Sequence, residues 1–394
     1  MAFFHRLSAQ TRIALLLAIT LGLGACSSLK LTSKDNVSPP TELKDVAKTE
    51  QLVALWRTSV SDDKASIRGQ ALRPAVRDGA VLIAGVEGDL RSLDAATGET
   101  RWKIATEYRF AGGVGMDGRR VVLGTLDGEV VAFDRKDGEQ LWQIQLPSEV
   151  LATPVVTAAT VVVRGNNGRV YGLTSSDGKL AWTFDGDVPL LSLRGNADPV
   201  MDGTTIYSAG DNGKLAALDL VEGKLKWEQV LTLPDGRNEL ERMVDLDGQM
   251  RADRGDVFVA GYKGSTTALT SDSGRTLWSQ KAESVSGVDV DAALVVVVES
   301  DGDVMAMDRR SGGELWVQKD LRFRMLGSPR ILGTVVVVGD LEGYLHVISL
   351  KDGSIVGRIR HGREAVSAPM VVVDQVLYVQ GRGGVVAAYQ LRGS

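Results

Sequence analysis

Side chains that could carry covalent or metal chemistry are scarce in this chain of 394 residues. Its three histidines, His5, His346 and His361, have no spacing that would bring two of them onto one metal ion. The acidic segments Asp289–Asp291 and Asp301–Asp303 lack the loop pattern that binds Ca²⁺, and turns are the better interpretation. No Ser/His/Asp or Cys/His arrangement suits nucleophilic catalysis. The sequence therefore predicts no catalytic residue, no metal site and no cofactor-binding residue.

The single cysteine, Cys26, follows a segment typical of a secretory signal peptide. Two arginines precede the apolar run 13–23, which is long enough for a signal-peptide core and too short to span a bilayer. The run leads into Leu-Gly-Ala-Cys, which is similar to the lipobox at which bacterial lipoproteins are cut and lipidated. We therefore predict a signal peptide over 1–25 and a lipid on Cys26. Because that thiol is the only one, packing must stabilise the body without disulfides.

Ser27, the residue after the predicted lipid site, bears on which membrane holds the protein. Bacterial lipoproteins kept at the inner membrane carry an aspartate there, so similarity to that sorting rule implies the outer membrane. Residues 26–50 are polar and contain prolines, and we predict that they form a flexible tether after the lipidated cysteine. The expected location is the outer membrane, lipid-anchored and facing the periplasm.

Six of the seven tryptophans close one recurring phrase, in which a turn glycine is followed by three residues and then Trp. The phrases end at Trp102, Trp142, Trp182, Trp227, Trp278 and Trp316. A seventh phrase, SLKDGSIVG, keeps the turn but ends at Gly357. A repeat of roughly 40 residues is typical of propellers, solenoids and arrays. Since Trp can bury a large apolar area, we interpret these tryptophans as packing residues at the rim of such a body.

Each phrase follows a valine-rich run and an alternating segment, both typical of β-strands. The valine-rich runs begin near Val81, Val121, Val161, Ile206, Val257, Val295, Val335 and Val376. An inner strand, often marked by proline, precedes each run, and a short outer strand ends near Trp. Each unit therefore supplies four antiparallel strands, which is one propeller blade.

The eighth unit ends at Ser394 without an outer strand, while residues 51–60 carry Trp56 and belong to no complete unit. An unpaired sheet edge is an aggregation hazard, so we expect the N-terminal strand to pair with the last blade. The predicted fold is all-β: an eight-bladed β-propeller of four-stranded antiparallel blades over residues 51–394, with its ring closed by the N-terminal strand.

Two neighbouring connections between blades, after Trp182 and after Trp227, are longer than most, as is the one after Trp56. In a four-strand meander the connections all emerge opposite the Gly-Trp turns, so the neighbouring pair should flank blade 4 on one surface. The candidate residues are Leu191, Leu193 and Arg194 in the first insertion and Asp245 and Asp247 in the second. Leucines beside an arginine are typical of interface hot spots. Equally, the leucines could pack under their own loop, and Asp-x-Asp-Gly could be only a turn.

The Gly-x-x-x-Trp phrase resembles the repeat of the pyrroloquinoline-quinone propeller superfamily. With the lipobox, the eight units, Ser-Leu-Arg-Gly in one insertion and Asp-x-Asp in the next, the chain resembles the BamB family of lipoproteins, part of the complex that folds β-barrels into the outer membrane. The resemblance implies docking on the periplasmic POTRA domains of BamA. The positions that match the family's contact motifs are Leu191, Leu193, Arg194, Asp245 and Asp247. It implies a scaffold rather than an enzyme, with unfolded outer-membrane proteins as a further partner.

Two other functions compete with a scaffold. A quinoprotein dehydrogenase would need a quinone over the axis, a bound Ca²⁺ and commonly a disulfide of adjacent cysteines, whereas this chain has one cysteine and rim-assigned tryptophans. A propeller that binds another ligand in its axial funnel would need polar and aromatic side chains converging there, which the sequence does not locate. Nucleic acid is excluded as a partner because the net charge is −5 and no basic stripe occurs.

Overall fold

A computed structural model describes residues 38–46, 50–60, 72–186, 197–233, 237–238 and 244–393. Its strands form eight four-stranded sheets, each antiparallel throughout. The first strands contact one another between blades 2 and 3, 4 and 5, 5 and 6, 6 and 7, and 7 and 8, and those of blades 8 and 1 also meet. The predicted eight-bladed propeller is therefore confirmed. No helix in the described residues is long and apolar enough to cross a membrane.

Blades 1 to 4 follow chain order, from the inner strand to the outer one. In blade 1 they are β2 (Ala75–Arg77), β3 (Ala80–Ala84), β4 (Asp89–Asp94) and β5 (Thr100–Ala105), and in blade 2 β6 (Gly115–Met116), β7 (Arg120–Gly124), β8 (Glu129–Asp134) and β9 (Gln140–Gln145). Blade 3 has β10 (Val155–Val156), β11 (Thr160–Arg164), β12 (Arg169–Thr174) and β13 (Leu180–Asp185), and blade 4 has β14 (Val200–Asp202), β15 (Thr205–Ala209), β16 (Lys214–Asp219) and β17 (Leu225–Val230).

Blades 5 to 8 repeat this order, except that the outer strand of blade 8 comes from the start of the chain. Blade 5 has β18 (Arg251–Asp253), β19 (Asp256–Ala260), β20 (Thr266–Thr270) and β21 (Thr276–Gln280), and blade 6 has β22 (Val288–Val290), β23 (Leu294–Val298), β24 (Val304–Asp308) and β25 (Glu314–Gln318). Blade 7 has β26 (Arg330–Leu332), β27 (Val335–Gly339), β28 (Tyr344–Ser349) and β29 (Ile355–Arg360), and blade 8 has β30 (Val371–Val373), β31 (Val376–Gln380), β32 (Val385–Gly393) and β1 (Glu50–Ser59).

The valine-rich runs are the second strands of the blades. In β3, β7, β11, β23 and β27 every residue is buried, because both faces of the strand pack against neighbouring blades. Such a strand has no solvent side, which explains why its sequence is a continuous apolar run rather than an alternating one. The outer strands β13 and β17 bury Trp while exposing the residues beside it.

The N-terminal strand closes the ring. β1 pairs with β32 from Glu50 opposite Gly393 to Ser59 opposite Val385, with a bulge between Ala54 and Trp56. The backbone N–H of Val60 adds a hydrogen bond to the carbonyl of Gly384, at 2.9 Å. The predicted closure is confirmed, and it ties the two ends of the propeller to each other through backbone hydrogen bonds.

Each tryptophan locks its own blade to the next one. The indole N–H donates to a backbone carbonyl at the start of the next blade's outer turn, over distances of 2.8 to 3.3 Å, in seven pairs: Trp56 to Ala95, Trp102 to Arg135, Trp142 to Ser175, Trp182 to Leu220, Trp227 to Ser271, Trp278 to Arg309 and Trp316 to Leu350. The glycine of that turn lies under the ring: a Cβ on Gly223 would stand 2.3 Å from Trp182. Glycine is thus required both for its positive φ of 68° and for space.

Gly357 stands where blade 7 would carry its tryptophan, and the ring closure explains the exchange. In blade 8 the third and fourth strands come from opposite ends of the chain, so the hairpin turn on which a blade 7 tryptophan would rest does not form. The residue opposite is exchanged as well: Gly357 pairs with Val347, whereas Trp142 pairs with Ala132. A larger residue opposite a smaller one keeps the interface filled.

Residues 40–46, part of the segment predicted as a tether, lie against blades 6 and 7. The N–H of Thr41 donates to the carbonyl of Arg322 at 3.0 Å, and Arg358 donates to the carbonyl of Lys44 at 2.8 Å. The ammonium of Lys44 is 2.7 Å from Asp320. The chain is therefore already held by the propeller several residues before β1 begins.

Candidate functional site

The strand order divides the propeller into two faces. Turns between first and second strands and between third and fourth strands share one face, while turns between second and third strands and the connections between blades share the other, which we call the connection face. The chain leaves β13 at Asp185 and enters β14 at Val200, and it leaves β17 at Val230 and enters β18 at Arg251. Both long connections therefore start and end on the connection face, on either side of blade 4.

The described residues include two of the five predicted contact positions. Leu191, Leu193 and Arg194 lie outside the described residues, as does Cys26. Asp245 is fully buried, and its carbonyl accepts the N–H of Tyr262 at 2.7 Å. Asp247 is half-buried. Since the Asp245 side chain is covered, it can serve a docking surface by holding the segment in place, whereas Asp247 is the more accessible of the two.

Asp245 and Asp247 join a compact cluster of acids. Oxygen atoms of Asp211, Asp245 and Asp247 all lie within 4.8 Å of one another. Arg164, from the end of β11, forms a buried ion pair with Asp211, from the turn after β15. Burial, followed by repulsion from Asp245, raises the pKa of Asp247 well above its ordinary value. Arg164 thus lies beside a cluster of three carboxyl groups, of which those of Asp211 and Asp245 belong to buried residues.

We expect Asp247→Asn to stabilise the folded protein at neutral pH by about 0.5–2 kcal/mol. The pKa of Asp247 is higher in the folded chain than the unfolded value of 3.8, so the folded state binds the proton more tightly. Stability from this group is therefore complete below pH 3.8 and is lost as the pH rises through the folded pKa. Urea denaturation at pH 5 and pH 8 measures it, and the advantage of the Asn variant should be larger at pH 8. An Asn variant less stable than the parent at pH 8 would contradict this account.

A network of polar side chains crosses the axis of the ring. Arg73, just before blade 1, lies 3.0 Å from Asp198, just before blade 4, and donates to the side-chain oxygen of Gln249, just before blade 5, at 3.2 Å. The amide of Gln249 also donates to Asp198, at 2.8 Å. Because blades 1 and 5 are opposite in a ring of eight, these bonds span the centre.

Asp289, on the inner strand β22, extends the network around the axis. It lies 2.6 Å from Arg251 of blade 5 and 3.2 Å from Arg330 of blade 7. Burial alone would raise the pKa of Asp289, but attraction to the two arginines outweighs it and the pKa lies below its ordinary value. Burial, with repulsion from Arg251, lowers the pKa of Arg330 to about 10. Ion pairs thus link the inner strands of blades 5, 6 and 7.

Sequence reasoning missed this axial network. Its members, Arg73, Asp198, Gln249, Arg251, Asp289 and Arg330, are at or just before the inner strands. Charged residues at these places in unit after unit were the available signal. The sequence does not show which of these residues pair, because most partners come from different blades and are 38 to 176 residues apart.

The two histidines of the propeller are held by structural hydrogen bonds. His346 contacts Asp340 at 3.0 Å, and His361 contacts the hydroxyl of Tyr389 at 2.9 Å. Both rings are fully buried, and burial lowers the pKa of His361 to about 4. The Asp301–Asp303 segment is a turn, and Arg322 pairs with both of its carboxylates. These residues stabilise loops in the described part of the chain.

Comparison with known proteins gives one consistent result for the sequence. A family model described as "Outer membrane protein assembly factor BamB" matches residues 86–318. A protein of that name from Pseudomonas aeruginosa is 43% identical over 97% of this chain and 100% of its own length. Its namesake from Escherichia coli K12 is 32% identical over 94% of this chain and 96% of its own length.

Solved structures agree on the fold. The crystal structure of BamB from Moraxella catarrhalis matches with a TM-score of 0.80 at 28% identity, over 86% of this chain and 100% of that one. A quinohemoprotein alcohol dehydrogenase from Comamonas testosteroni matches with a TM-score of 0.68 at 16% identity, over 87% of this chain and 76% of that one. The second likeness concerns the propeller architecture alone.

Proposed function

This chain belongs to the BamB family of outer membrane protein assembly factors, and on that premise we propose that it serves β-barrel assembly as a non-enzymatic scaffold docked on the POTRA domains of BamA. The observation that carries the proposal is the family match over almost the whole chain, joined to the position of both long connections on one face. A scaffold must hold its contact surface still. The interlocked tryptophans and the closed ring give this propeller that rigidity.

The docking surface is the connection face around blade 4. Leu191, Leu193 and Arg194 supply two apolar anchors and a positive charge in the first insertion. The acid cluster beside the second insertion supplies the complementary charge, with Asp247 nearer the surface and Asp245 positioning it from below. A partner surface that pairs a basic side chain with an apolar recess and an acidic group would fit both insertions together.

Two observations favour a scaffold over a propeller enzyme or an axial binder. Near the axis, the Arg73–Asp198 ion pair links blades 1 and 4, and the Arg251–Asp289–Arg330 ion pairs link blades 5, 6 and 7, so the inner parts of these blades are tied to one another. All seven tryptophans bond to a neighbouring blade, so each has a packing role. Docking needs neither an open axis nor a free aromatic platform.

The protein is further proposed to reach the outer membrane from the periplasmic side through a lipid on Cys26. Within the segment predicted as a tether, residues 40–46 lie on blades 6 and 7. Unfolded outer-membrane proteins are a second proposed partner. Each blade has an outer strand with one edge outside its own sheet, where an extended chain could add by β-augmentation.

The test is capture of the partner from membranes. The full chain with a cleavable C-terminal tag is purified from solubilised outer membranes, and mass spectrometry should find BamA in amounts comparable to the bait. A matched control carries Arg275→Glu, an exposed change on the opposite face, and should recover the same complex. Recovery of the tagged chain with other proteins but without BamA would contradict the proposal.

A further inference from the structure

We propose that the propeller also contacts the membrane surface directly, through a patch on blades 6 to 8 that binds the phosphate groups of lipids. The membrane patch consists of Phe323, Met325, Arg57, Arg360, Arg363 and Arg382. This inference rests on the proposed location at the outer membrane, but it concerns a different part of the ring from the docking surface around blade 4.

An arginine-lined cavity between blades 7 and 8 forms the first half of the patch. Its volume is about 1100 Å³. Arg57 comes from β1, Arg360 and Arg363 from the end of blade 7 and the connection after it, and Arg382 from the turn between β31 and β32. Glu364 is the one acid among the lining residues, so the wall carries a clear excess of positive charge.

These arginines are held by neutral groups. Arg57 donates to the carbonyl of Arg360 at 3.3 Å and to the hydroxyl of Tyr389 at 3.2 Å. Arg360 lies over the ring of Tyr344 at 4.8 Å, and Arg382 donates to Ser367 at 3.1 Å. Within the described part of the chain none of the four forms an ion pair, whereas arginines such as Arg251 and Arg322 are matched with aspartates. Four arginines around one cavity that also holds a single acid, Glu364, favour an anionic ligand.

An apolar knuckle beside the cavity forms the second half. Phe323 and Met325 are 41% and 73% exposed, and both have positive φ, 58° and 49°. Bulky residues rarely adopt this conformation, and holding them there costs free energy. The flanking Leu321 and Leu326 are buried, so the backbone turns alternate side chains outward. Met325 also lines the arginine cavity, which makes the two halves continuous.

Polar contacts hold the backbone of the knuckle in place. The N–H of Phe323 donates to the carbonyl of Asp301 at 2.7 Å. Arg324, 3% exposed, lies 2.8 Å from Asp340 and also pairs with Glu342. Exposed apolar side chains that the surrounding contacts hold in place are typical of an interaction site.

The position of the N-terminal segment indicates that this partner is a membrane. Arg324 donates to the carbonyl of Thr41 at 2.9 Å, so Thr41 lies at the base of the knuckle. Cys26 precedes Thr41 by 15 residues, which reach at most about 50 Å when extended. A lipid on Cys26 would therefore keep the patch near headgroups. Arginine forks match phosphate oxygens, and apolar side chains such as Phe enter the boundary below them.

Vesicle binding of the unlipidated chain tests the proposal. The full chain carrying Cys26→Ala is sedimented with vesicles of phosphatidylethanolamine, with and without phosphatidylglycerol. We expect binding that rises with the phosphatidylglycerol fraction and weakens as salt screens the charges. Arg363→Glu with Arg382→Glu should lower the binding constant more than about tenfold, and Phe323→Ser with Met325→Ser should lower it severalfold. Arg275→Glu with Arg310→Glu, a matched pair of exposed arginines on the opposite face, should leave it unchanged.

Three outcomes would overturn the proposal. The first is that the patch variants and the control variant bind vesicles equally well. The second is strong binding of inorganic phosphate or glycerol phosphate without vesicle binding, which would make the cavity a site for a free anion. The third is loss of protein partners by the arginine variants with vesicle binding intact, which would make the patch a protein interface. If a double variant does not fold, the single change Arg363→Gln, at an exposed position, should also lower the vesicle binding constant. Because the assay contains no BamA, its failure is distinct from failure of the docking proposal.

Discussion

Changing Leu193 to Ala and Arg194 to Glu together is expected to abolish capture of BamA while leaving the thermal midpoint almost unchanged. Both residues lie in the insertion between blades 3 and 4, outside the strands that make the core. An apolar anchor and an arginine at the centre of an interface typically cost more than about 2 kcal/mol each when removed. The combined change should therefore weaken the complex more than about 100-fold. Co-purification from membranes and thermal unfolding of the same preparation measure the two quantities.

The control for this variant makes the same kinds of change elsewhere. Leu180→Ala with Arg275→Glu alters an exposed leucine and an exposed arginine on the outer strand of blade 3 and the turn before the outer strand of blade 5, and capture of BamA should persist. If the Leu193 and Arg194 variant unfolds, the leucines belong to the core of their loop. If it folds and still captures BamA, the docking surface lies on another part of the ring.

Asp289→Ala is expected to destabilise the propeller by about 3–5 kcal/mol. Its carboxylate faces Arg251 at 2.6 Å and Arg330 at 3.2 Å, and it accepts the N–H of Ile331 at 2.8 Å. Removing it takes the counter-charge from two partly buried guanidiniums. Urea denaturation at pH 7 measures the loss.

The pH dependence of Asp289 has a defined sign. Its folded pKa lies below the unfolded value of 3.8, so its contribution to stability is complete above pH 3.8 and is lost as the pH falls through the folded pKa. The gap between parent and Asp289→Ala should therefore narrow in strong acid. Asp320→Ala, which removes the exposed partner of Lys44, is the control and should change stability by less than about 0.5 kcal/mol. An Asp289→Ala protein as stable as its parent would show that the axial ion pairs do not hold the blades together.

The predictions for Asp245 and Asp247 show how much a contact motif can indicate. Their spacing marks the segment, but it says nothing of which carboxylate is covered. Asp245 is buried because residue 262, in the next hairpin, pairs with its backbone. The pKa of Asp247 is raised first by burial and then by repulsion from Asp245, on the same connection, and from Asp211, in the turn after β15.

Local pattern by itself determined the strands, the number of blades and the closure of the ring. Valine runs, alternation and glycine turns act over a few residues, and each unit repeats them, so the units could be counted along the chain. Trp56 could be assigned to the last blade because the eighth unit lacks an outer strand and the N-terminal strand belongs to no other complete unit. Only the tertiary structure shows which side chains meet between units: Trp182 on the turn of Gly223, Arg73 across the axis, and Arg57 on the carbonyl of Arg360. Ring geometry brings these residues together from distant parts of the sequence, and no periodicity in the chain records which side chains then meet.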